Sequence, residues 1–154
     1  MRPVRLSAAL RAEIEAHGRA MYPEECCGLL IGLARESTLS DERVILALER
    51  ADNHSSGERT RRFLIPPDHL RSVERRLEFT EQAVVGFYHS HPDHPARPSQ
   101  FDQDHAWPWY TYLVLSVSAS GTPTLGAFEL DPDSGTFCEV RLSVTKTETA
   151  IAPR

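Results

Sequence analysis

A short apolar run near the start of the chain constrains the fold more than any other feature. Residues 26–33 read Cys-Cys-Gly-Leu-Leu-Ile-Gly-Leu, and Pro23 precedes them as a helix breaker. An apolar run of this length, without polar alternation, is typical of a strand that is buried on both faces of a sheet. We therefore expect the fold to be organised around a β-sheet.

Helical and extended segments alternate along the rest of the chain. Ser7 is placed to cap a first helix that ends near residue 21, and Pro66-Pro67 opens a second helix that ends near residue 79. A short third helix is predicted to start at Ser99, and His17 of the first helix is predicted to lie at the surface. The other predicted strands are residues 44–48, 62–65, 83–90, 110–117, 124–130 and 136–144, the last two forming a hairpin. This mixed order predicts an α/β fold with helices on the faces of a sheet.

Length and composition limit the class of protein. A chain of 154 residues fits one compact domain, and we predict a single domain over residues 1–144 with a flexible tail over residues 145–154. The net charge of −5 argues against a nucleic-acid surface, which needs clustered Lys and Arg. No apolar stretch approaches the roughly 18 residues of a membrane span. The three cysteines lack a disulfide spacing, which indicates reduced thiols and a cytoplasmic location.

Two histidines and a carboxylate form the most informative constellation. His89-Ser90-His91-Pro92 ends a predicted strand, and Ser99-Gln100-Phe101-Asp102 follows after six residues. Residues i and i+2 of a strand point to the same side, so the imidazoles of His89 and His91 can converge on one point. The loop before Asp102 contains prolines and can return its carboxylate over the strand end. Two histidines and one carboxylate leave a fourth position for water, which is typical of a catalytic zinc site.

Each part of this constellation also has an interpretation without chemistry. A His-x-His pair at a strand end, taken alone, is more often surface histidine than metal site. Ser99 with Asp102 three residues later also fits a helix capping box, in which the side chains satisfy free backbone N–H groups. The capping and ligand interpretations are compatible, because a ligand at the start of a helix needs a fixed backbone.

The same residues resemble the JAMM motif of the MPN+ metallopeptidases. That motif is His-x-His-Pro, six residues, then Ser-x-x-Asp, with a glutamate far upstream that stands three residues before a glycine entering an apolar strand. Residues 89–92 and 99–102 match its fixed positions, and Glu25 stands three residues before Gly28. Glu24 is one residue out of register, so Glu25 is chosen by resemblance. Residues 22–28, 53–55, 62–65 and 107–110 are also similar to compact prokaryotic members, and the likeness covers about residues 7–144.

The resemblance carries specific expectations about fold and chemistry. It implies a single mixed β-sheet, partly barrel-like and flanked by helices, as in MPN and cytidine-deaminase-like folds. One zinc per chain would be held by His89, His91 and Asp102, with Glu25 as general base and Ser99 as hydrogen-bond donor to the oxyanion. The substrate would be the bond after the C-terminal Gly-Gly of a ubiquitin-like or sulfur-carrier protein. Neither nucleic acid nor membrane is expected as a partner, and a homodimer is a candidate assembly.

Two other functions remain open at the level of sequence. MPN relatives that have lost ligands serve as catalytically silent scaffolds, but here every ligand position is filled. A zinc hydrolase of another small amide is the second alternative, although the Cys-x-x-Cys of nucleobase deaminases and the His-Glu-x-x-His of common metalloproteases are both missing. A cysteine hydrolase using Cys26 or Cys27 is disfavoured, because an apolar strand start is a poor place for a thiolate.

Overall fold

The computed structural model describes residues 1–34, 41–53 and 65–146. Within these ranges the chain forms eight strands and three helices. The strands are β1 (Val4–Ser7), β2 (Cys27–Leu33), β3 (Arg43–Ala51), β4 (Gln82–Pro92), β5 (Thr111–Val117), β6 (Thr124–Leu130), β7 (Phe137–Val140) and β8 (Leu142–Thr145). The helices are α1 (Ala8–Met21), α2 (Pro67–Leu77) and α3 (Gln100–Asp104). No helix in these ranges is long and apolar enough to cross a membrane.

All eight strands belong to one mixed sheet that curves almost into a barrel. Their order is β7-β6-β5-β4-β2-β3-β1-β8. The pairs β4–β5, β1–β3 and β1–β8 are parallel, and the others are antiparallel. The two edge strands, β7 and β8, are separated along the chain by Arg141 alone, and the Arg141 carbonyl accepts a hydrogen bond of 2.8 Å from the Val4 amide. The predicted α/β fold with a partly barrel-like sheet is therefore confirmed.

The predicted double-sided burial of the first apolar run is also confirmed. Leu30 of β2 packs into the main core with Ile14 of α1. Leu29 and Ile31, which point the other way, pack instead against Val73 of α2. Burying a leucine or isoleucine side chain contributes about 1.5–3 kcal/mol. These apolar contacts therefore stabilise the packing of α1 and α2 on the two faces of the sheet. Helix α1 begins where expected, with the Ser7 hydroxyl accepting a hydrogen bond of 3.1 Å from the Leu10 amide.

The sequence predictions were wrong or incomplete in four places. Strand β1 was not predicted, and residues 136–144 form two strands at opposite edges of the sheet rather than one arm of a hairpin. His17, expected at the surface, is buried, and its Nδ1 lies 2.7 Å from the Tyr88 hydroxyl. The second helix ends at Leu77. The predicted strand 62–65 falls mostly outside the described residues, as does the predicted tail beyond residue 146, so the domain limits stay a prediction.

Candidate metal centre

His89 and His91 lie at the carboxyl end of β4, buried on the same side of the strand. Their Nε2 atoms are 3.1 Å apart. Asp102 Oδ2 lies 3.0 Å from each of these nitrogens, so the three atoms form a nearly equilateral triangle. All three residues are buried, with His89 only 1% exposed. The structure thus brings together the three side chains that the sequence singled out as candidate ligands.

Asp102 reaches this point because it sits in the first turn of α3, where a capping box fixes it. The Asp102 amide donates to Ser99 Oγ at 3.1 Å, and the Ser99 amide donates to Asp102 Oδ2 at 2.8 Å. The capping interpretation from the sequence is therefore correct, and it does not compete with a ligand role. The cap orients the same carboxylate oxygen that faces the histidines.

The orientation of the His91 ring is fixed by a hydrogen bond from the ring nitrogen that faces away from the centre. Its Nδ1 lies 3.0 Å from the carbonyl oxygen of Pro95. Since a carbonyl oxygen only accepts, Nδ1 carries the hydrogen, and the neutral ring presents the lone pair of Nε2 to the centre. A hydrogen bond of this kind on the remote nitrogen is the usual way in which proteins orient a metal-binding histidine.

This donor set fits a divalent metal. When the His91 ring is neutral, its Nε2 and Asp102 Oδ2 are both acceptors, so at 3.0 Å they repel each other unless a proton or a metal cation lies between them. Ligand atoms in a tetrahedral zinc site with bonds of about 2.0–2.2 Å lie roughly 3.3–3.6 Å apart. The edges of the triangle, 3.0–3.1 Å, are close to that spacing. Two imidazoles and a carboxylate are also among the ligand sets of catalytic zinc.

Glu25 is the fourth functional side chain at the centre. It is 1% exposed, and its carboxylate and the two imidazoles have ligand atoms within 4.8 Å of one another. Glu25, His89 and His91 could therefore also form a metal-binding set. We favour the tighter triangle that includes Asp102. Glu24, the rival from the sequence, is not part of this group of described residues.

The electrostatics of Glu25 differ sharply from those of Asp102. Burial raises the pKa of Glu25 to about 8, with the charge of His91 opposing this rise and that of Asp102 adding to it. Neither Glu25 oxygen has a hydrogen-bond partner within the described ranges. Burial also disfavours ionisation of Asp102, but the charge of His89 and the hydrogen bonds from His89, His91 and Ser99 outweigh it and hold the pKa well below its usual range. Asp102 is thus held ionised, whereas Glu25 can exchange a proton near neutral pH.

The backbone around Glu25 is clamped by two residues whose roles the sequence analysis missed. The Ser90 hydroxyl accepts a hydrogen bond of 2.8 Å from the Cys26 amide, and the Ser90 amide donates to the Cys26 carbonyl at 3.0 Å. The side-chain amide of Asn53 donates to the Glu25 carbonyl at 3.3 Å. Both polar side chains are buried. Ser90 is the variable residue of His-x-His, so its hydroxyl between two candidate ligands was the signal that could have revealed it.

Two cavities are lined by side chains of this centre. One of about 520 Å³ is lined by Glu25, His91, Ser99, His94, Arg97 and three prolines. The other, about 190 Å³ and largely apolar, is lined by His89, Asp102, Ile65, Leu70, Phe87, Phe101, His105, Trp107 and Tyr112. An extended substrate can therefore approach the centre from either side.

His105 and the two cysteines near the centre have structural explanations. His105 is exposed, its ring stacks on Phe101 with centroids 4.1 Å apart, and its Nδ1 donates to the Phe101 carbonyl at 2.8 Å. Burial raises the pKa of Cys26 to about 11 and that of Cys27 to about 12. Both thiols therefore stay protonated at neutral pH, in line with the low rank given to a cysteine hydrolase.

Comparison with known proteins agrees with this geometry. The sequence model of a family described as prokaryotic homologs of the JAB domain matches residues 7–130. The chain belongs to this family, and the matched range contains all five site residues. The chain is also 34% identical over 116 residues to a desampylase from Haloferax volcanii. The aligned region covers 72% of this chain and 78% of that protein.

Two solved structures have the same fold. A solution structure of a protein from Desulfitobacterium hafniense superposes with a TM-score of 0.79 at 26% sequence identity, covering 94% of both chains. A solution structure of a protein from Salinibacter ruber gives a TM-score of 0.67 at 35% identity, with both chains fully covered. The curved sheet with its flanking helices is therefore shared with experimentally determined relatives.

Proposed function

We propose that this chain is a zinc-dependent peptidase or isopeptidase that hydrolyses the bond after the C-terminal Gly-Gly of a ubiquitin-like protein of the sulfur-carrier kind. The observation that carries this proposal is the buried triangle of His89, His91 and Asp102 beside the carboxylate of Glu25, which has no hydrogen-bond partner among the described residues. Burying polar groups in this way lowers the stability of the fold, and such unfavourable groups are found mostly at functional sites.

The two histidines and Asp102 would hold one zinc ion per chain. Zinc in such a site would supply a reactive water, because it lowers the pKa of that water to about 7, and it would also polarise a carbonyl oxygen. The chain's own contribution is to fix the ligands. The Pro95 carbonyl orients the His91 ring, and the Ser99 amide orients the Asp102 carboxylate.

Glu25 would move the proton. A general base works best when its pKa lies near the working pH, and burial places that of Glu25 at about 8. It would accept a proton from the attacking water and then pass it to the departing amine. Since neither of its oxygens has another partner in the described structure, the carboxylate is free to take both parts in turn.

Ser99 would stabilise the oxyanion that develops on the scissile carbonyl. Its hydroxyl already accepts a hydrogen bond from the Asp102 amide, so the hydroxyl hydrogen remains available for donation. Ser99 lines the same cavity as Glu25, which is the side from which a carbonyl would approach. Removing one such donor typically costs about 10²–10³ in rate.

The substrate class is supported by the similarity to a desampylase, a name that denotes removal of a ubiquitin-like modifier. A Gly-Gly tail has no side chains, so its backbone can pass close to buried catalytic groups. The apolar cavity beside His89 offers a place for a larger side chain further along that tail. Cytoplasmic location and homodimer formation stay predictions.

The proposal is tested by intact mass spectrometry of the host's own ubiquitin-like sulfur carrier, extended past its Gly-Gly. The carrier is incubated with the zinc-loaded protein and, in parallel, with Glu25→Gln and Glu24→Gln. Cleavage after the second glycine by the wild type and by Glu24→Gln, but not by Glu25→Gln, is the expected result. If no variant cuts while zinc is bound at one per chain, the carrier assignment fails, and another amide or peptide substrate has to be sought.

A further inference from the structure

The loop over residues 93–98 is hydrogen-bonded both to the sheet and within itself. The Ser116 hydroxyl of β5 donates to the His94 carbonyl at 2.6 Å, and the Arg97 amide donates to the Pro95 carbonyl at 2.8 Å. The same Pro95 carbonyl accepts the hydrogen bond from the His91 ring. A loop tied at these points and bounded by prolines keeps its own side chains in fixed places relative to the centre.

Arg97 lies in this loop, and its guanidinium has no charged partner among the described residues. The side chain is exposed, and its guanidinium makes no salt bridge or hydrogen bond to any residue in the described ranges. By contrast, Arg2 and Arg76 each bind a glutamate at 2.7–2.9 Å. A guanidinium is a planar fork of donors that matches a carboxylate in a bidentate fashion, so an unpaired one at a cavity is suited to that anion.

The position of Arg97 limits which carboxylate it can meet. It lines the cavity of about 520 Å³ together with Glu25, His91 and Ser99. A sphere of that volume is about 10 Å across, which is about three residues of extended chain. A group bound by Arg97 while the scissile carbonyl lies at Ser99 therefore belongs to the residue at the bond or to one of its near neighbours.

Arg97 supplies a positive charge to the lining of this cavity in a chain whose net charge is −5. A carboxylate that enters the cavity is therefore attracted to Arg97 at short range, where the Coulomb interaction is strongest.

We propose that Arg97 forms a carboxylate-binding subsite that selects substrates carrying an anionic group next to the scissile bond. This inference rests on the proposed function. The α-carboxylate of a single residue after Gly-Gly has the required chemistry, because the departing α-amine and its carboxylate share one carbon atom. An acidic side chain in the last few residues of the carrier tail offers the same group. A lysine isopeptide lies far from its own backbone and has no such group.

The test uses the sulfur carrier extended by one alanine after Gly-Gly, prepared either with a free C-terminal carboxylate or as the C-terminal amide. A second pair of substrates compares acidic residues before Gly-Gly with their amide equivalents. Wild type, Arg97→Gln and Arg71→Gln are assayed on both pairs. Arg71 is an exposed arginine of α2 away from this cavity, so it controls for the change in net charge. Zinc content is measured for each variant.

The wild type is expected to cleave the carboxylate form about tenfold more efficiently than the amide, mainly through KM, since a charge-assisted hydrogen bond has about this strength. Arg97→Gln should remove the difference by slowing only the anionic substrate, whereas Arg71→Gln should retain it. Discrimination confined to the second pair would support the subsite and assign its anion to the carrier tail. Equal discrimination by wild type and Arg97→Gln on both pairs would overturn the subsite and leave the proposed function intact. Absence of cleavage of all four substrates would overturn both.

Discussion

Replacing Glu25 with glutamine is predicted to stabilise the metal-free protein at neutral and alkaline pH while it abolishes hydrolysis. The side chain is 1% exposed, and neither carboxylate oxygen has a hydrogen-bond partner in the described part of the chain. Ionising such a group inside the fold is costly, so burial raises its pKa from 4.5 to about 8. Glutamine has nearly the same shape and never ionises.

The magnitude follows from the two pKa values. Below pH 4.5 the carboxyl is protonated in both the folded and the unfolded chain, and its ionisation costs nothing. Between pH 4.5 and about 8 only the unfolded chain ionises, so the free energy of unfolding falls by about 1.4 kcal/mol per pH unit. Above about pH 8 the loss levels off near 5 kcal/mol. From pH 5.5 to 8.5 the stability advantage of Glu25→Gln should grow by about 3 kcal/mol.

Urea unfolding in the presence of a chelator measures this directly. The free energies of unfolding of wild type and Glu25→Gln are compared at pH 5.5, 7.0 and 8.5, so that other titrating groups largely cancel in the difference. The difference is expected to rise by about 3 kcal/mol from pH 5.5 to 8.5 because the Glu25 carboxyl ionises only in the unfolded chain over most of this range. A difference that stays constant within about 0.5 kcal/mol would show that the pKa of Glu25 is not raised in the folded chain.

Three further substitutions test how the centre is built. Ser99→Ala should lower kcat by about 10²–10³, with zinc still bound, and should reduce the free energy of unfolding by about 1 kcal/mol through the lost helix cap, as measured by kinetics and urea unfolding. Ser90→Ala should lower kcat much more than it changes KM or zinc content, because the Cys26 amide loses its buried acceptor and the backbone beside the base is released. Gly28→Ala should destabilise the fold by about 1–3 kcal/mol or more in thermal unfolding, because an added Cβ would lie 2.2 Å from the Tyr88 ring.

The parts of the centre that follow from local sequence could be predicted. Residues i and i+2 of a strand lie on the same side, so the sequence alone predicted that His89 and His91 come together. The Ser-x-x-Asp spacing likewise predicted the helix cap that orients Asp102 toward the two histidines. The apolar run of β2 also predicted that this strand is buried on both faces. In each case the contacts lie within one element or depend only on its periodicity.

Contacts between distant segments could not be read in the same way. The closure of the sheet depends on β1 pairing with both β3 and β8, and four residues of β1 carry too little pattern to predict either partner. His17 lies on the same face of α1 as Leu10 and Ile14, but a histidine there was expected at the surface because of its residue type, so its contact with Tyr88 was not predicted. The clamp of Ser90 and Asn53 on the backbone near Glu25 joins three separate segments and has no local signature.

His89, His91 and Asp102 are proposed to hold one zinc ion, with Glu25 beside it as a residue that is not a ligand. This assignment is tested by the zinc content per chain after exhaustive dialysis, measured for wild type, Asp102→Asn and Glu25→Gln. One zinc per chain is expected in the wild type and in Glu25→Gln, and little zinc in Asp102→Asn. Full occupancy in Asp102→Asn together with loss of zinc in Glu25→Gln would contradict it, because the ligand set would then be Glu25 with the two histidines.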